Sequence, residues 1–156
     1  AKVVELADGP GTVGVTIVDS NMAPASPEIV EACQALLDAQ RPVGATVTAA
    51  APGEVEIAVS ATVVLTSPAT AEEVEEAFAA RLKEYLAGVI RAKYSAVYYG
   101  PEEDKAYTVI YNRILALLLT IDGVENASSL TVGGGTSDVT IQANQAPVLG
   151  AVEVTE

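Results

Sequence analysis

Tyr111-Asn112-Arg113-Ile114-Leu115-Ala116-Leu117-Leu118-Leu119 runs into Asp122-Gly123-Val124, and a string of short strands then closes at Gln145-Ala146-Pro147-Val148-Leu149-Gly150. The periodicity predicts a helix over about residues 105–121, apolar on most sides between Ile114 and Leu119 and so buried on several faces. Asp122-Gly123 stops it, with glycine placed for a left-handed cap. Leu130-Thr131-Val132, Val139-Thr140-Ile141 and residues 150–155 read as strands, with Gly133-Gly134-Gly135 as a turn. A segment of this kind is built to be packed against other parts, and nothing in it looks catalytic.

Upstream, Gly9-Pro10-Gly11 is a turn, and residues 12–19 alternate Val13, Val15 and Ile17 with Thr12, Gly14 and Thr16, the pattern of a half-buried strand. Ser26-Pro27 opens a helix, with Ser26 as N-cap and Pro27 in its first turn. Ile29, Cys33, Leu36 and Leu37 form its expected apolar stripe, and Arg41-Pro42 ends it. Residues 45–50 read as a short strand. The longest alternation runs from Glu54 to Thr66, with Val55, Ile57, Val59, Ala61, Val63 and Leu65 on one face. Such a strand belongs to an antiparallel sheet with one wet face.

Thr70 and Glu73 form a capping box at the head of the longest helix, whose expected core stripe is Val74, Phe78, Leu82, Tyr85 and Val89. Glu72, Glu73, Glu75 and Glu76 suit a solvated helix N-terminus. From about residue 92 to 107 the pattern dissolves into a loop or irregular hairpin. The order is β-α-β-β-α-loop-α-β-β-β, an α+β fold. We expect two small α/β lobes with mainly antiparallel sheets, 1–67 and 68–156, meeting near residues 66–70, or the same elements packed as one unit.

The chain has 156 residues, half of them apolar, which suits a globular fold with a sizeable core. Eight basic residues against twenty-one acidic ones give a net charge of −13. That surface repels phosphate backbones and anionic membrane surfaces, so nucleic-acid binding is not expected. No apolar run approaches the roughly eighteen residues of a membrane span, so membrane insertion is not expected either. Cys33 is the only cysteine and there is no histidine, so an intrachain disulfide, Cys/His zinc sites and histidine-based triads are excluded. Cys33 reads as a structural thiol on a helix's apolar face. The first residues carry neither a signal peptide nor an initiator methionine, and we expect a piece of a longer polypeptide.

Without histidine, catalysis would rest on carboxylates, a serine–lysine pair, a tyrosine or a metal. Asp19 at a strand end, and Asp122 with Glu125 after a helix, are the acids in interesting positions, though such acids are usually structural. Gly133-Gly134-Gly135-Thr136-Ser137 lacks the lysine and following helix of a phosphate loop. Asp138 and Asn144 fit no calcium-loop spacing. We therefore expect no enzyme, cofactor or metal site. All six tyrosines lie between Tyr85 and Tyr111. Tyr85, Tyr107 and Tyr111 read as helix core, while Tyr94, Tyr98 and Tyr99 are candidate protein-contact residues, since tyrosine joins apolar area to a polar tip.

Several passages, taken in order, resemble the baseplate J-like proteins of contractile phage tails. They are the stretch from Gly9 to Ser20, Pro24-Ala25-Ser26, Arg41-Pro42-Val43-Gly44-Ala45-Thr46-Val47-Thr48 ending in Ala51-Pro52, and Tyr111-Asn112-Arg113-Ile114. Asp122-Gly123-Val124, Leu130-Thr131-Val132-Gly133-Gly134 and Pro147-Val148-Leu149-Gly150 complete them. The resemblance implies a wedge subunit of a tail baseplate in a phage, prophage remnant or bacteriocin, here its C-terminal portion. It implies copies joined in a ring with other baseplate and tail proteins, in a virion assembled in the bacterial cytoplasm. The segment from Tyr98 to Asp104 matches no motif of the family, and Gly9-Pro10-Gly11 is a candidate hinge. A carboxylate-dependent cell-wall hydrolase at the tail tip is the alternative; a glycan-binding module ranks last because tryptophan is absent.

Overall fold

The computed structural model describes residues 1–66, 68–94, 98–100 and 104–156, with Tyr98 and Tyr99 described through their backbone. The fold is α+β, with helices α1 (Pro27–Gln40), α2 (Ala71–Tyr94) and α3 (Tyr111–Leu119) among nine strands in the described residues. The chain forms two compact units, neither of them one continuous segment. The first comprises Ala1–Glu54, Val89–Tyr107 and Gln142–Ala146, the second Val55–Gly88, Thr108–Ile141 and Pro147–Glu156.

In the first unit, β1 (Lys2–Glu5) pairs antiparallel with β2 (Thr12–Thr16), which pairs in parallel with β3 (Thr46–Ala50). The two-residue β5 (Tyr98–Tyr99) runs parallel to β1, giving the order β3-β2-β1-β5. Helix α1 packs against β3. Its cap position is held by Ser26 in extended geometry with Pro27 in the first turn, but the Ser26 hydroxyl makes no capping hydrogen bond. The stripe that packs inward is Val30, Cys33 and Leu37, against Val15, Ile17 and Ala25. This corrects the expected stripe: Ile29 and Leu36 face solvent. Gln34 uses the same inward face differently. Its Nε2 donates to the Val47 carbonyl at 2.9 Å and its Oε1 accepts the Ala49 N–H at 2.7 Å. A carboxamide carries the donor and acceptor a neighbouring strand would bring, so Gln34 covers the open edge of β3.

The second unit is built on the long strand β4 (Gly53–Leu65), central in the order β7-β4-β9 with β7 (Val124–Val132) and β9 (Gln145–Thr155). Ile57, Val59, Ala61 and Val63 alternate inward, as the sequence pattern requires. Short strands β6 (Tyr107–Val109) and β8 (Val139–Ile141) form a separate pair. The capping box at α2 is reciprocal: the Thr70 N–H donates to Glu73 Oε2 at 3.2 Å, and the Glu73 N–H to Thr70 Oγ1 at 3.4 Å. The α2 positions buried in this unit are Val74, Phe78, Leu82 and Leu86, while Tyr85 is half-buried and its hydroxyl accepts the Ile110 N–H at 2.9 Å.

Helix α3 starts at Tyr111 rather than near Lys105, because residues 107–109 are extended in β6. It is amphipathic, burying Ile114 and Leu118 and leaving Leu119 exposed, not apolar and covered on most sides. Asp138, remote in sequence, accepts the Tyr111 N–H at 2.9 Å and so serves the first turn of α3. Gly133 and Gly134 both have positive φ, +58° and +77°, the requirement of a tight type I′ hairpin turn.

Gly123 lies beyond the α3 cap residue Thr120, with φ +94°, and its carbonyl accepts the Thr66 N–H at 2.9 Å. An added methyl there would overlap the Ala69 side chain. Gly88, inside α2, has open space around it. Gly123→Ala should therefore destabilise by about 2 kcal/mol or more, whereas Gly88→Ala should stabilise by up to about 1 kcal/mol. Urea unfolding of the two variants checks the opposite signs.

Candidate functional site

The expected contact residue Tyr94 ends α2 and lies in the interior of the first unit, packed with Ile90 and Ala146 and flanked by Val18 and Met22. Its helix continues the four-residue spacing through Ile90 to Tyr94, so the ring falls on the buried stripe. Tyr98 and Tyr99 pair their backbone with Val3 and Val4 of β1. Their side chains, and Glu102 and Glu103 of the segment that matched no motif, lie outside the described residues.

What fixes this region is a charge cluster. Lys2, the first residue of β1, is 1% exposed, an extreme burial for lysine. Its ammonium donates to Asp104 Oδ2 at 2.7 Å and to the Ala143 carbonyl at 2.6 Å, and it lies 5.7 Å from the centre of the Tyr94 ring. Lys93 approaches Asp104 Oδ1 at 2.8 Å and donates to the Lys105 carbonyl, also at 2.8 Å. Its ammonium is 5.8 Å from the Tyr107 ring, whose hydroxyl donates to the Gln145 carbonyl at 2.7 Å. One carboxylate thus serves two ammonium groups, and two aromatic faces take up part of the excess positive charge.

Burial alone would push the Asp104 carboxyl up, but the hydrogen bonds and charges of Lys2 and Lys93 outweigh it and hold the group below its ordinary value. Burial lowers Lys2 from the ordinary lysine value, only partly offset by Asp104, and the like charge of Lys93 adds to the lowering. Burial and then the Asp104 charge push the Tyr94 phenol up to about 12. Tyr107 is raised further, by burial first and then by Tyr94 and Asp104. The Tyr94 hydroxyl is buried without a hydrogen-bond partner among the described residues.

These groups lock a strand, a helix end and two loop segments together. Other acids are engaged elsewhere. Asp19 Oδ1 accepts the N–H groups of Asn21 and Ala23, each at 2.8 Å, and so closes a loop. Asp122 and Glu125 are exposed. Asp122 borders a cleft of about 490 Å³ with Thr66, Pro68, Ala69, Glu73 and Gly123, but the Glu73 carboxylate there is bound to Thr70. Among the described residues no group of three or more acidic or thiol side chains could hold a metal ion, and no helix is long and apolar enough to cross a membrane.

The Lys2–Asp104 pair spans 102 positions and was not legible as a pair. The one local signal was Lys2 itself, a cation placed where a strand begins among Val3 and Val4. Asp104→Asn should cost about 3 kcal/mol, because it takes the anion away from the buried Lys2 ammonium and from the half-buried Lys93. Lys2→Met should cost less, since it leaves one cation facing one anion. A depressed carboxyl value adds stability above the ordinary aspartate range and loses it as pH falls through the folded-state value. The gap between wild type and Asp104→Asn should therefore close in acid, below about pH 4, in urea unfolding followed across pH.

Comparison with known proteins gives two consecutive matches. Residues 1–51 match the Baseplate J-like central domain, and residues 57–155 the Baseplate J-like protein C-terminal domain. Among solved structures, the fold is similar to a chain in the cryo-EM structure of the anti-feeding prophage (AFP) baseplate, 6-fold symmetrised, with TM-score 0.55 and 15% identity. That likeness covers 88% of this chain and 29% of the other, so this chain spans less than a third of the protein it matches. No curated protein matches the sequence.

Proposed function

Because the chain belongs to the baseplate J-like family, we propose that it is a structural wedge subunit of a contractile, phage-like tail baseplate. Its work is assembly: contacts to other baseplate and tail proteins and to further copies of itself in a ring around the tail hub. The observation that carries the reading is the pair of family domains, which follow one another in order along nearly the whole chain. The fold likeness to a baseplate protein agrees with it.

The interior chemistry supports the same reading. The cluster at Asp104 joins backbone segments, and Asp19, Glu73 and Asp138 each bind main-chain N–H groups. No observation favours the hydrolase alternative. Within the assembly reading, contact falls to the edge strand β5 that carries Tyr98 and Tyr99, with Tyr94 acting from the interior as the anchor of the helix end that precedes it. The location is the virion tail, after assembly in the bacterial cytoplasm.

The test is to express the full-length protein with an epitope tag beside its genomic neighbours and to image the particles with gold-labelled antibody. Label at the tail end that bears the baseplate is the expected result. Intact particles without label, with the tagged protein free in solution, would overturn the reading.

A further inference from the structure

The inward stripe of α1 leaves a second apolar stripe on its outer side. Ile29 is 44% exposed and Leu36 64%, and Ala32, Ala35 and Ala39 are exposed with them. At 100° per residue these five side chains fall within an arc of about 120°, and Ile29 and Leu36 sit two turns apart at nearly the same angle. Val43, just past the helix, is fully exposed. The three alanines leave the backbone open to close approach by another helix, with Ile29 and Leu36 as the projecting anchors. Exposed apolar side chains gathered on one helix face make it a candidate contact surface.

Charge decides what kind of contact. Glu31 and Asp38 line one border of the arc and Glu28 lies within it. Arg41 is the only basic residue between positions 3 and 80, and it is paired with Asp38 at 3.3 Å. A second copy of this chain therefore brings acid to an acidic rim, and the net charge of −13 opposes that encounter further. We propose that the outer face of α1 docks an amphipathic helix of a different protein, one whose apolar stripe is bordered by lysine or arginine. This deepens the assembly reading and rests on it for its biological setting. The physical claim concerns the free chain and is tested on it.

The probe is a synthetic helical peptide of about five turns with a leucine stripe flanked by lysines. Two controls share its length: the same stripe flanked by glutamates, and a scrambled order of the lysine peptide that has no stripe. Fluorescence anisotropy measures affinity, NMR of the labelled protein maps the contact, and sedimentation gives its oligomeric state. The expected result is a monomer that binds the lysine-flanked peptide saturably, with shifts centred on α1. Binding should weaken about tenfold or more in Leu36→Asp and in Ile29→Asp. It should weaken several-fold in the Glu31→Lys, Asp38→Lys double variant and at raised salt. Both anchors are exposed, so the aspartate variants should keep the wild-type circular dichroism spectrum.

Four results would overturn the proposal. One is a dimer that Leu36→Asp dissolves, which would make a second copy the occupant. Another is equal binding of the scrambled peptide, which would reduce the effect to net charge. The third is binding unchanged in both aspartate variants. No binding by a chain that still labels the tail end of particles would refute the docking face and leave the assembly reading standing.

Discussion

Asp104 sits between the ammonium groups of Lys2 and Lys93, and the first unit is arranged around that shared carboxylate. An ion pair taken out of water gains little unless its geometry and remaining hydrogen bonds are complete, because desolvation opposes the attraction. Here both ammonium groups find further partners, while the buried Tyr94 hydroxyl beside them has none among the described residues. Lys2 also reaches the Ala143 carbonyl, Lys93 the Lys105 carbonyl, and the rings of Tyr94 and Tyr107 lie near the two cations. β1, the end of α2 and segments near residues 104 and 143 share one register, and slipping any of them strands a buried charge.

Local signals in the sequence carried over where local physics decides. The Thr70–Glu73 box and the alternation of β4 both depend on neighbours a few residues apart, and both stand in the structure as read. The α1 stripe differs from the expected one because the helix offers two apolar stripes. Hydrophobicity alone cannot tell which one meets the sheet, whereas Gln34 at the β3 edge fixes the rotation. The start of α3 was misplaced because Tyr107, Val109 and Ile110 suit helix or strand, and pairing with β8 decides for strand. β7 extends back to Val124 through Glu125, Asn126 and two serines, a polar run whose strand character comes from the partner β4 rather than from its own residues.

The candidate site was legible as a cluster of tyrosines and not as a charge network. Tyr94 is a buried ring beside Lys2, and its partner groups come from positions far apart in the chain. A network of this kind has no sequence spacing to announce it. Its members are paired by topology, and only the fold brings β1 to residue 104.

The family membership and this interior chemistry describe the same kind of molecule. Its polar side chains are spent on holding backbone in place, at Asp19, Gln34, Glu73, Asp104 and Asp138, while its outer surface keeps apolar residues such as Ile29 and Leu36 in reserve. The claim underlying all of this is that Lys2 is buried, charged and bound to Asp104. The most direct measurement is side-chain ¹⁵N NMR of the lysine ammonium groups near neutral pH. The expected result is a Lys2 ammonium signal slow enough in exchange to be observed, with a through-space contact to the Tyr94 ring. Asp104→Asn should abolish it. A Lys2 ammonium exchanging with water as fast as the exposed lysines, indifferent to Asp104→Asn, would contradict the account at its centre.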